Sequence, residues 1–158
     1  MHGYIYEIRS KRTGRDEWAN ELNFSEDPNI DYASEVSDEE RSAAIERMFD
    51  DPLIKELFER GDDLDTLILK DGGIDAVKRE WYNTMRTELD SVQKENAIDI
   101  SKLHNAMNNP PFGCHSLRYC LPDWGGDISE PGRELLWFAS TEMPGTKFYI
   151  CGVFDYHW

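Results

Sequence analysis

The segment IDAVKREWYNTMRTELDSV, residues 74–92, decides the fold class. Ile74, Val77, Trp81, Met85, Leu89 and Val92 recur every three or four residues, which places them on one face of a helix of about five turns. A helix with a single apolar stripe needs a surface to bury it against, and the flanking residues must supply that surface.

Downstream, Ile100, Leu103 and Met107 keep helical spacing until Pro110 and Pro111 end the run. The composition then changes. Residues 111–158 hold 10 of the chain's 19 aromatic residues with many Gly and Pro, the composition of strands and turns. Strands are predicted over Glu134 to Ser140 and Lys147 to Tyr156, with a turn at Met143-Pro144-Gly145, and over Leu117 to Leu121.

Upstream, Ser37-Asp38-Glu39-Glu40 has the pattern of a capping box and starts a helix whose apolar stripe is Ala44, Ile45, Met48 and Phe49. Asp51-Pro52 restarts the chain as cap and first helical residue, and Leu53, Ile54, Leu57 and Phe58 form the next stripe before Gly61. Asp62 to Lys70, with Leu64, Leu67 and Ile68, is predicted as a third short helix ending at Gly72-Gly73. Asn23 to Val36 lacks periodicity and contains Pro28 and Asn29, so it is expected to be a loop. Gly3 to Arg9 alternates, with Tyr4, Tyr6 and Ile8 on one side, as a strand packed on one face would. Lys11 to Arg15 forms a basic turn, and Trp18, Leu22 and Phe24 follow in a short segment that could close a hairpin. The expectation is one acidic α+β domain over residues 1–158. Its antiparallel sheet joins the N-terminal strand to C-terminal strands, with four or five helices inserted between them.

The charge is concentrated. The chain of 158 residues carries a net charge of -15. Residues 16–75 hold 20 Asp and Glu against 5 Lys and Arg, while residues 1–15 are net basic and residues 76–158 nearly balanced. Such a field repels nucleic acid and attracts basic surfaces. No apolar run reaches the ~18 residues of a membrane span, and Met1 to Arg12 lacks the apolar core of a signal peptide. A cytoplasmic protein is expected, with its three cysteines reduced.

No glycine-rich phosphate loop, Gly-x-Ser-x-Gly or His-Glu-x-x-His is present, which removes the commonest nucleotide, acyl-transfer and zinc-protease chemistries. One alternative is a small enzyme whose cleft near Trp124 holds Cys114, His115 and Asp127, a thiol beside a base and an acid. In an extended strand, however, His115 faces away from Cys114. A second alternative is a structural module holding metal through Cys114, Cys120 and Cys151, although the Cys-x5-Cys spacing is wider than the close pairs zinc prefers. Buried thiols account for these cysteines more simply, and no cofactor is expected.

The preferred expectation is a non-enzymatic binding protein. Carboxylates at i, i+3 and i+4 on an ordered helix form a rigid array of negative charge that can meet the Lys and Arg of a nucleic-acid channel. Asp38, Glu39, Glu46, Asp50, Asp51, Glu59, Asp62 and Asp63 are the candidate contacts. The partner expected is a basic, nucleic-acid-binding protein, blocked by an inhibitor that mimics nucleic acid. The analogy with anti-defence and immunity proteins is one of charge and size alone. No direct nucleic-acid or membrane contact is expected, and no residue pattern sets an oligomeric state.

Overall fold

A computed structural model describes residues 2–25, 30–92, 101–108, 117–130 and 132–157. The chain opens with β1 (His2–Arg9), two 3-10 turns at Arg15–Glu17 and Glu21–Phe24, and β2 (Tyr32–Glu35). Then come α1 (Asp38–Met48), α2 (Pro52–Leu57), β3 (Phe58–Arg60), β4 (Thr66–Leu69), α3 (Gly73–Asp90) and α4 (Ser101–Asn108). It closes with β5 (Leu117–Leu121), a 3-10 turn at Pro122–Trp124, β6 (Gly126–Glu130), α5 (Gly132–Ala139) and β7 (Lys147–His157).

The strands form one sheet in the order β3-β4-β7-β1-β5-β6. The long β7 lies at its centre. β1 runs antiparallel along one edge of β7, while the other edge is shared, with β4 beside Lys147 to Tyr149 and β2 beside Phe154 to His157. The fold is α+β, and the N-terminal strand pairs with the C-terminal one. The sheet is mixed, because β5 lies parallel to β1. The long crossover between these two strands permits parallel pairing, which a hairpin could not make.

At Glu7 the pairing of β1 with β7 shifts register: Tyr6 faces Val153 and Ile8 faces Ile150, so Cys151 and Gly152 together oppose one residue. This is a β-bulge, and it reverses which side of the sheet alternate residues occupy. Phe148 and Ile150 precede it, and Val153 after it joins the same core as they do, while Phe154 and Tyr156 turn to the other core. The Glu7 side chain is fully buried. Its Oε1 accepts from Arg9 Nε at 2.5 Å, and its Oε2 accepts from the amides of Ala19 at 3.0 Å and Gly152 at 3.1 Å. The carboxylate therefore satisfies an amide at the bulge and ties the segment after β1 to the sheet.

Both faces of β1 are packed, where alternation predicts one. Tyr4, Tyr6 and Ile8 meet the helical side, whose core includes Ile45, Met48, Leu53, Leu57, Val77 and Leu136. Ile5 belongs to a second core with Phe24, Ile30, Cys120, Phe154 and Tyr156, and Ala19 and Ala33 pack against it. The segment after β1 is thus a third layer rather than a hairpin.

Three expectations are corrected. Glu134 to Ser140 lies within and just past helix α5: Leu135, Leu136 and Ala139 are its buried residues, at a spacing that suits one helix face. A short apolar run does not separate a strand from a buried helix. Asp62 to Lys70 is a turn followed by β4, because three Asp in four residues disfavour helix and Thr66-Leu67-Ile68-Leu69 suits an interior strand. Asn23 to Val36 includes β2, whose backbone bonds to β7 override its weak pattern. The long helix predicted from Ile74 onward is α3. Its first turns pack on the core through Ile74, Val77 and Trp81, whereas Leu89 is exposed. The indole N–H of Trp81 donates to the Ala106 carbonyl at 2.5 Å and so fastens α4 to α3.

At the bulge, a Cβ on Gly152 would stand 2.7 Å from the Phe154 ring and 2.9 Å from Glu7 Oε2. Gly152→Ala is expected to destabilise the protein by about 1 to 3 kcal/mol through overpacking. Urea unfolding measures this, and an unchanged midpoint would remove the bulge from its central place.

Candidate functional site

Helix α1 begins at Ser37, whose Oγ accepts the Glu40 amide at 3.2 Å. The return half of the expected capping box is replaced: the Glu40 carboxylate accepts instead from the Tyr4 hydroxyl at 3.1 Å. Asp38, Glu39 and Glu40 occupy the first turn, where the helix dipole favours negative charge. Ala44, Ile45 and Met48 are buried. Glu39, Ala43 and Glu46 are exposed at i, i+4 and i+7, a single stripe along the outer side of α1, and Asp50 is exposed in the turn that follows the helix.

The eight candidate contacts divide into four groups. Glu39, Glu59 and Asp62 are exposed and have no counter-ion within 4.0 Å among the described residues. Glu46 pairs with Arg60 at 2.7 Å and Asp50 with Lys55 at 3.4 Å, both across exposed surface. Arg60 also lies 4.2 Å over the Phe49 ring, which joins β3, and with it Glu59, to the α1 stripe. Asp38 and Asp63 are ion-paired to the basic turn, with Arg15 at 2.9 Å and Arg12 at 2.8 Å. Asp51 is no surface contact. It is buried, and its Oδ1 caps α2 by accepting the amides of Leu53 at 2.8 Å and Ile54 at 3.3 Å.

The basic turn lies against the sheet. Arg12 binds Asp63 and Asp65 and sits 5.2 Å over the Tyr149 ring. Arg15 binds Glu35 and Asp38, and its guanidinium stands 5.6 Å from the Trp18 ring. Arg9 binds Glu7 and approaches Asp123 at 3.8 Å. These three arginines are directed at the chain's own carboxylates.

Arg41 was not among the residues singled out from the sequence. It reaches the gap left on β7 between β4 and β2, donating through Nε to the Cys151 carbonyl at 2.7 Å and through Nη2 to that of Ile150 at 2.5 Å. Trp18 covers it at 5.1 Å, and only 16% of its side chain is exposed. A guanidinium here does the work of a missing strand for two carbonyls. Its spacing carries a signal: Arg41 is three, four and seven residues before Ala44, Ile45 and Met48, on the buried face of α1.

The cysteines are placed by the sheet. Cys120 and Cys151 are both buried, and neither is in a disulfide. They sit on the strands flanking β1, each opposite Glu7, so their backbones are about 10 Å apart. Burial pushes the Cys151 thiol above its usual pKa despite a 3.7 Å contact with Thr13 Oγ1, which disfavours the nucleophilic thiolate. Cys114 and His115 lie outside the described residues, and Asp127 lies on β6. Trp124 of the suggested cleft stacks on Phe138 at 5.3 Å and packs on Phe148 at 5.7 Å. Among the described residues no three His, Cys, Asp or Glu side chains are placed to hold a metal ion, and no helix is long and apolar enough to cross a membrane.

Comparison of the chain with protein-family models, with curated proteins and with solved structures finds no match.

The burial of Cys151 has a measurable consequence. Iodoacetamide at pH 8 is expected to leave Cys151 unmodified in the folded protein and to modify it fully in denaturant. Peptide mass spectrometry reads the difference, and rapid labelling under native conditions would contradict the assigned burial.

Proposed function

We propose that this chain is a non-enzymatic binding protein of the cytoplasm whose acidic helix face blocks a basic, nucleic-acid-binding partner. The observation that carries the reading is the set of exposed carboxylates on α1 and β3, among them Glu39, Glu46 and Glu59. Residues 38–75 contain 13 Asp and Glu against 5 Lys and Arg. One of those five, Arg41, is drawn onto the backbone of β7 and lies 3.6 Å from Asp65. Arg9 of β1 and the arginines of the basic turn, Arg12 and Arg15, are engaged in internal pairs. Carboxylates of α1 and β3 thus remain exposed on elements whose inner faces are packed, which holds their spacing for a partner. Exposed ion pairs such as Glu46–Arg60 and Asp50–Lys55 are worth about 0 to 1 kcal/mol each, so they open at little cost when a competing cation arrives.

Inhibition by occupation follows from this arrangement. A groove that accepts a phosphate backbone presents Lys and Arg at a spacing set by nucleic acid, and a fixed row of carboxylates satisfies those cations with charge-assisted hydrogen bonds. Disordered acids would lose more entropy on binding the same groove. Long-range attraction speeds the encounter and is screened beyond ~8 Å at physiological salt.

Converting Glu39, Glu46, Asp50 and Glu59 to Gln or Asn is expected to leave the thermal midpoint nearly unchanged and to slow association with the partner recovered by pull-down. Stopped-flow binding at several salt concentrations gives the check: the variant should show a shallower salt dependence, and nucleic acid should compete with both proteins. Equal rates and slopes for wild type and variant would refute the reading.

A further inference from the structure

Helix α5 meets the core through Leu135, Leu136 and Ala139, and Phe138 stacks on Trp124. Those four residues satisfy its inner side, yet Trp137 is 67% exposed. Trp137 faces a groove of about 300 Å³ between α5 and α3, lined also by Trp81, Leu136, Lys78, Arg133 and Glu134. That volume is at the lower end of small-molecule sites, about 300 to 1,000 Å³, which are typically apolar with a few placed polar groups. The hydrogen bond from Trp81 to Ala106 holds one indole in place, so the groove is partly preformed.

The charge at the groove is opposite to that of the chain. Arg133 holds Glu134 through Nε at 3.1 Å and Nη2 at 2.9 Å, which neutralises the one carboxylate in the lining. Lys78 is exposed and has no ion-pair partner among the described residues. Two cations and one carboxylate leave the groove positive in a molecule of net charge -15. An anion is repelled by the acidic surface and attracted here, and a flat aromatic ring can stack on the indoles.

We propose that the groove formed by Trp81, Trp137 and Lys78 binds a small planar aromatic carboxylate, its ring against the indoles and its carboxylate at Lys78. This site is independent of the acidic helix face, and its ligand has the opposite charge to the partner proposed for α1.

Isothermal titration of the full chain with 2-naphthoate and with its neutral amide, 2-naphthamide, tests the assignment. One naphthoate is expected to bind per chain, about tenfold more tightly than naphthamide. Trp137→Ala should weaken naphthoate at least tenfold, and Lys78→Met should reduce naphthoate to the affinity of naphthamide. Trp137 and Lys78 are both exposed, and circular dichroism verifies that each variant is folded. Absence of saturation at about 5 mM naphthoate would overturn the proposal. So would equal affinity for the two probes, or unchanged binding in Trp137→Ala. Sedimentation showing a dimer abolished by Trp137→Ala would assign the groove to a second copy of the chain and also overturn it.

Discussion

The buried carboxylate of Glu7 is the constraint on which the rest of the architecture depends. Taking such a charge out of water costs several kcal/mol unless charge-assisted bonds replace the lost hydration. Arg9 and the amides of Ala19 and Gly152 supply them. Each bond also fixes something else. Gly152 marks the bulge that rephases β7, so one strand serves two cores, and Ala19 anchors the segment that covers the second core. Removing the carboxylate would leave two amides unsatisfied and take from the Arg9 guanidinium its nearest partner, leaving it the Glu17 carbonyl and Asp123. Its loss would act on the sheet and on the third layer together.

Arginine does the corresponding work for the helical layer. β7 changes neighbours along one edge, and the carbonyls of Ile150 and Cys151 fall in the interval between β4 and β2. Arg41 fills that interval from α1 and fixes the rotation of the helix on the sheet. With Arg41, Ala44, Ile45 and Met48 inward, Glu39 and Glu46 on the opposite side of α1 face out, and Asp50 is exposed in the turn beyond it. The same packing that closes the sheet edge therefore orients the carboxylates proposed to meet a partner. The arginines of the basic turn pair with Glu35, Asp38, Asp63 and Asp65, which ties the segment after β1 to α1 and to the turn before β4.

Where a residue's role was local, the sequence revealed it. The start of α1 at Ser37, the Asp51-Pro52 restart and the period of α3 depend on contacts within a few residues, and each forms at its predicted place. Asp51 shows the limit of reading charge without position. It belongs both to an acidic run and to a helix cap, and burial assigns it to the cap. The run Glu134 to Ser140 shows the corresponding limit for apolar patterns, because a strand buried on both faces and a short buried helix need the same residue types.

By itself the sequence determined an α+β chain, the acidic segment with its helix starts, and the pairing of the first strand with a C-terminal one. Composition, capping and periodicity are properties of near neighbours, and they survive without knowledge of the partner surface. Only the tertiary structure decided the parallel placement of β5, the bulge opposite Glu7, the Arg41 contact and the groove at Trp137. Each of these joins residues distant in the chain or on separate elements, and no local pattern specifies which residues will meet.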